Sequence, residues 1–124
     1  MHQTQILSYG AQGALLTLLQ ELAQARRCWL RETSQVSACL NLAHTTPPSV
    51  LVLRLGTDLP RELELLEQVH ACLPGTAVIA VGEAENPALA GLVWELGATC
   101  ALFPPTPMEQ IHGLIERILD GGAP

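Results

Sequence analysis

Apolar residues along this chain change period repeatedly, and the changes mark alternating strands and helices. Gln5-Ile6-Leu7-Ser8-Tyr9 predicts a first strand closed by Gly10 and the flexible Gln12-Gly13 pair. From Ala14 to Ala25 the spacing becomes helical, with Leu15, Leu18, Leu19 and Leu22 on one face. Cys28-Trp29-Leu30-Arg31 predicts a short second strand. Gln35 to Ala43 predicts a helix capped by Ser34, with Val36, Cys39, Leu40 and Ala43 inward. Pro47-Pro48 stops that helix, because adjacent prolines cannot continue it.

Ser49-Val50-Leu51-Val52-Leu53 is nearly all apolar, the pattern of a strand covered on both faces rather than half-exposed. Asp58 and Pro60 then predict a helix start. The helix runs to about Cys72 and buries Leu63, Leu66, Val69 and Leu73. Pro74-Gly75 ends it, and Thr76-Ala77-Val78-Ile79-Ala80-Val81 predicts a fourth, buried strand. Asn86-Pro87 caps a fourth helix with an inner stripe of Leu89, Leu92, Val93 and Leu96, stopped by Gly97. Cys100 to Phe103 predicts a fifth strand. Thr106 or Pro107 opens a last helix, with Ile111, Leu114, Ile115 and Ile118 inward and Gly121-Gly122 at its end.

Five strands alternating with five helical segments imply parallel pairing through right-handed crossovers. The fold class is α/β, a three-layer α/β/α sandwich, and the strand order that best suits this count is 2-1-3-4-5. With no repeat and no linker, residues 1–124 read as a single domain.

Composition narrows the chemistry. Lysine is absent; six arginines face twelve acidic residues, for a formal charge of −6. Nucleic-acid backbones are therefore disfavoured partners, as are anionic lipid surfaces. Arg26, Arg27 and Arg31 form the one local basic cluster and read as a solvated helix end. No secretion signal and no apolar run long enough to cross a bilayer is present, so a cytoplasmic location is expected. Cys28, Cys39, Cys72 and Cys100 are too widely spaced for a metal signature and read mainly as core packing. His2, His44, His70 and His112 are scattered, and Ser8 and Ser49 have no neighbouring base. Neither an enzyme nor a bound cofactor is expected from these residues.

The landmarks Val78-Ile79-Ala80-Val81-Gly82, Leu96-Gly97-Ala98 and Leu102-Phe103-Pro104-Pro105-Thr106-Pro107, with the terminal helix, resemble the second half of a response-regulator receiver domain of the CheY-like, flavodoxin-like kind. Pro48 to Val69 and Gln5 to Leu22 match its earlier elements. The resemblance implies where phosphorylation chemistry would sit, and the residues there differ. The acidic metal-binding pair aligns with Gly10 and Ala11, the phosphate-accepting aspartate with Arg54, and the hydroxyl residue with Gly82. The lysine aligns with Pro104, and the aromatic switch residue with Ala101. A guanidinium is neither a nucleophile nor a magnesium ligand.

The chain therefore resembles a degenerate receiver, and the resemblance implies a phosphorylation-independent protein-interaction or regulatory module of bacterial signalling. Arg54 can pair with Glu83 or Glu85 in the loop after the fourth strand, replacing a metal-centred network by an ion pair. Two alternatives stay open. One is an anion or small-ligand sensor built on Arg54 and the glycine-rich edge loops, Gly10, Gly13, Gly56 and Gly82. The other is a phosphoacceptor using a relocated acid such as Asp58, whose simpler role is helix capping. For a protein partner, or a homodimer, the expected anchor is Trp94 beside Ala90 on the outer side of the fourth helix.

Overall fold

A computed structural model describes residues 4–105 and 108–121. Thr106, Pro107, His2 and Gly122 lie outside the described residues. Five strands and five helices alternate: β1 (Gln5–Tyr9), α1 (Gly13–Arg26), β2 (Trp29–Thr33), α2 (Val36–Thr45), β3 (Val50–Arg54), α3 (Leu59–Cys72), β4 (Ala77–Val81), α4 (Pro87–Glu95), β5 (Cys100–Leu102) and α5 (Met108–Leu119). The strands form one parallel sheet in the order β2-β1-β3-β4-β5. This is the fold class and order expected from the pattern.

The apolar run of β3 explains its central place. Val50, Leu51, Val52 and Leu53 are all fully buried, and successive side chains point to opposite faces. Val50 and Val52 join Ile6 and Ile79 beneath α1 and α5, which contribute Leu15, Leu19, Leu22, Ile111, Leu114 and Ile115. Leu51 and Leu53 join Leu7, Val78 and Ala80 beneath the other helices, against Cys39, Ala43, Leu65, Leu66, Val69 and Val93. Each fully buried side chain of this size contributes about 1.5–3 kcal/mol, so the two-sided strand anchors both layers.

Helix starts are made in different ways. Asn86 accepts a hydrogen bond from the Leu89 amide (3.0 Å), with Pro87 in the first turn, as its sequence predicts. Ser34 is not the cap of α2. Strand β2 continues to Thr33, so Gln35 takes the cap position without a side-chain bond, and Thr33 Oγ1 accepts from the Gln35 amide instead. Asp58 does stand at the N-cap of α3, but its side chain makes no capping bond.

Two helical faces also differ from expectation. In α3 the buried positions are Glu62, Leu65, Leu66 and Val69, while Leu63 and Leu73 are only partly covered. In α4, Val93 is the buried centre, flanked by Leu89 and Leu96, and Leu92 is 40% exposed. At roughly 100° per residue, Leu92 lies a quarter-turn from Val93 on the side away from the sheet.

The cysteines are all free. Cys39 is buried, Cys28 and Cys100 are half-buried, and Cys72, expected at a helix end, is exposed. Burial pushes the Cys39 thiol up to about 12 and raises those of Cys28 and Cys100. Among the described residues no helix is long and apolar enough to cross a membrane.

Candidate functional site

The carboxyl ends of parallel strands are where open α/β sheets bind ligands, because the loops diverge there. Arg54 is the last residue of β3 and reaches that edge next to Val81, its register partner in β4. Its guanidinium is spoken for within the chain. Nη1 donates to the Gly10 carbonyl (3.3 Å), and Nη2 forms an ion pair with the carboxylate of Glu83, just beyond β4. Glu85, the other acid of that loop, does not pair with Arg54; it is exposed and borders a groove instead. The Arg54 side chain is 19% exposed and that of Glu83 57%, so water still screens the pair.

Glycine at position 82 is required by the aromatic residue just beyond β5. A Cβ built there would lie 2.2 Å from the Phe103 ring, so the aromatic side chain covers the place that a side chain on residue 82 would use. Phe103 carries no assigned role in the sequence. It stands two residues past Ala101 and packs with the cluster that includes Leu89 and Leu59. Together with Leu55, it closes one end of a groove of about 180 Å³ rimmed by Glu83 and Glu85. Pro104, joined to Pro105 by a cis peptide, comes next, in a turn.

Gly10, with φ of +72°, turns the chain out of β1, and Ala11 continues the loop toward α1. Neither side chain offers a metal ligand. Among the described residues no group of three or more His, Cys, Asp or Glu side chains is gathered so as to hold a metal ion. Asp58 belongs to the turn between β3 and α3, and its amide is held by another carboxylate, that of Glu62.

Glu62 is the charged residue that sequence reasoning missed. It is 0% exposed, yet its carboxylate is well supplied with donors. Oε2 accepts from the Tyr9 hydroxyl (2.7 Å) and the Asp58 amide (3.0 Å), and Oε1 accepts from the Gly56 amide (2.9 Å). A buried carboxylate is tolerable only when bonded in this way. The network ties the end of β1 to the β3–α3 turn, directly behind Arg54. Burial, and then the bond to Glu62, push the Tyr9 phenol above its ordinary range, so it stays protonated as the donor. The signal for Glu62 was in the sequence: it precedes Leu65, Leu66 and Val69 at helical spacing and completes their stripe.

The outer surface carries two large exposed aromatics. Trp94 on α4 is 52% exposed, with Ala90 half-buried one turn earlier. Trp29, on the edge strand β2, is 55% exposed and received no role from sequence. His112 Nδ1 lies 3.2 Å from Glu116 within α5, while Arg26 reaches across from α1 to Glu116 and Asp120. His70 packs its ring against Gly97, where a Cβ would meet it at 2.2 Å.

Comparison with known proteins gives a fold and no sequence relative. No family model matches the chain, and no curated protein matches it in sequence. Solved structures do match, over nearly the whole length. A CheY-like response-regulator receiver domain protein from Methanospirillum hungatei JF-1 is 17% identical, with a TM-score of 0.81 over 97% of this chain and 96% of that one. A response regulator from Thermotoga maritima is 8% identical, with a TM-score of 0.80 over 96% of this chain and 99% of that one. The BeF3-activated receiver domain of DrrB is 18% identical, with a TM-score of 0.79 over 96% of this chain and 99% of that one. The chain thus has the flavodoxin-like fold of CheY-like receiver domains.

Proposed function

We propose that this protein is a receiver-like regulatory module of signalling that works through protein contacts and without phosphorylation. The observation that carries this reading is the Arg54–Glu83 ion pair at the end of β3. Phosphoryl transfer to a carboxylate needs an acid at that strand end, acidic metal ligands beside it, and a free cation to meet the transferred oxygens. This chain has a guanidinium at the strand end, Gly10 and Ala11 beside it, and Pro104 where the lysine is expected. The charge that remains is neutralised internally.

A cleft of this kind is a fixed strut between β3 and the β4–α4 loop rather than a switch. The pairing also weighs against Arg54 serving as an anion receptor, since an anion would have to displace both Glu83 and the Gly10 carbonyl. For Asp58 as a relocated acceptor, no group of three or more metal-ligating side chains is gathered around it among the described residues, and the nearby Glu62 carboxylate is taken up by Tyr9 and the Gly56 and Asp58 amides. In the proposed role the partner-facing surface is the outer side of α4, where Trp94 offers a large area with few rotors to freeze.

The test is incubation with acetyl phosphate and Mg²⁺, followed by intact mass. The expected spectrum contains the unmodified chain alone. A species heavier by one phosphoryl group, lost on Asp58→Asn, would replace this reading by that of a relocated phosphoacceptor. Sedimentation of Trp94→Ala against wild type then reports on the surface; an unchanged association constant removes Trp94 from any contact between copies.

A further inference from the structure

Strand β2 is the outermost strand of the sheet on the β1 side, and its far edge has no strand beyond it. The bonds at its two ends fix which backbone groups face inward. The Trp29 amide donates to the Thr4 carbonyl (3.1 Å), and the Thr33 carbonyl accepts from the Gly10 amide (2.9 Å). Backbone groups alternate in direction along a strand, so Trp29, Arg31 and Thr33 bond to β1, while the amides and carbonyls of Leu30 and Glu32 point outward. None of these outward groups bonds to another element among the described residues. Strand edges are commonly blunted by lysine, proline or a bulge. β2 contains neither residue, and its register with β1 is unbroken from Trp29 to Thr33.

The side chains around this edge also stand apart from the rest of an acidic chain. Trp29 is the most exposed large apolar residue among those described. Arg31 shares its face of the strand and is half-buried, with its guanidinium turned back to donate to Gln5 Oε1 and the Thr46 carbonyl (3.3 Å). Bonds of this kind lie in the guanidinium plane and leave its faces to stack on an aromatic ring. Helix α2, which packs beside β2, contains no Asp, Glu, Lys or Arg. Arg31 and Glu32 cancel, so α2 and β2 together carry no formal charge on a chain of −6. Like-charged copies repel one another least where their surfaces are neutral.

We propose that a second copy of this chain pairs along β2, antiparallel across a two-fold axis, so that one sheet runs through both copies. The axis sets one residue of β2 opposite its own copy, and charge selects which. Centred on Arg31, it opposes two guanidinium groups; centred on Glu32, it opposes two carboxylates, and like charges directly opposite are destabilising. Centred on Leu30, it opposes two leucines, whose outward amides and carbonyls bond to each other. That register also sets Trp29 of each copy opposite Arg31 of the other, an aromatic ring against a guanidinium on both sides of the axis. The pairing is thus self-complementary in backbone and in side chains.

Sedimentation of the full chain should show a reversible monomer–dimer equilibrium, and hydrogen exchange by amide NMR should locate the contact. The Leu30 and Glu32 amides, open to water in the monomer, should slow by about tenfold between mostly monomeric and mostly dimeric samples, while those of Trp29 and Arg31, already bonded to β1, change little. Trp29→Ala should weaken dimerisation by about tenfold or more. Glu32→Pro, which removes an exposed side chain and an outward amide, should also weaken it, with the melting temperature of the monomer little changed. Trp94→Ala separates this contact from one through α4 and should leave the association constant as it is. A chain that stays monomeric at millimolar concentration overturns the proposal and leaves the edge to a strand of another protein. So does a dimer whose Leu30 and Glu32 amides exchange as fast as in the monomer, or one that Trp94→Ala dissociates and Trp29→Ala does not.

Discussion

Replacing Glu62 by alanine removes the acceptor of three hydrogen bonds from a position with no solvent exposure. The consequences differ by donor. The Tyr9 hydroxyl is buried and loses its partner, at a cost of about 1–3 kcal/mol. The Gly56 and Asp58 amides lie in a turn that is exposed to half-buried, where water replaces the carboxylate, so each loses only about 0.5–1 kcal/mol. Lost methylene packing beside Leu65 and Leu66 adds about 1 kcal/mol. Glu62→Ala should therefore destabilise the chain by about 3–6 kcal/mol, a large share of the stability of a domain this size. Urea unfolding followed by the fluorescence of the two tryptophans measures it. Tyr9→Phe alone should cost about 1–2 kcal/mol, and the double variant less than the sum, because the orphaned hydroxyl is gone. A Glu62→Ala midpoint within about 0.5 kcal/mol of wild type would refute the reasoning, since surface substitutions have effects of that size.

Other consequences are cheaper to check. Tyr9 is the sole tyrosine, and its folded-state pKa is raised. The stability it contributes is full below the unfolded value of about 10 and declines as pH rises above it; ultraviolet titration should show phenolate forming only together with alkaline unfolding. Gly82→Ala should cost about 1–3 kcal/mol through its clash with the Phe103 ring, and Phe103→Leu in the same chain should recover part of that loss in a urea melt. Alkylation with iodoacetamide at neutral pH, read by peptide mass, should label Cys72 first and leave Cys39 unmodified until the chain unfolds.

The elements of the fold were legible because their signals are local. The apolar run of β3, the Pro74-Gly75 stop and the Asn86-Pro87 start each depend on residues adjacent in sequence. Strand order came from the count of alternating elements. The groups gathered at the edge were less legible, because their partners are distant. Helical spacing puts Glu62 on the stripe of Leu65, Leu66 and Val69, but its partner Tyr9 lies 53 residues earlier and only the fold brings the two together. Arg54 offered two equivalent acids, and only the path of the loop after β4 selects Glu83 over Glu85. Leu92 was misplaced because a nine-residue helix gives too few turns to centre its apolar stripe. Ser34 failed as a cap because β2 ran two residues longer than its apolar core suggested.

The central claim is that the strand-end site holds an internal ion pair in place of phosphorylation chemistry. Addition of Mg²⁺ and BeF₃⁻, the species that activates the structurally similar DrrB receiver domain, tests it most directly by amide NMR. The signals of Gly10, Arg54, Gly82 and Glu83 should stay where they are through the titration. Saturable movement of those four signals would mean that the site still accepts a metal and a phosphoryl mimic, and would contradict the account.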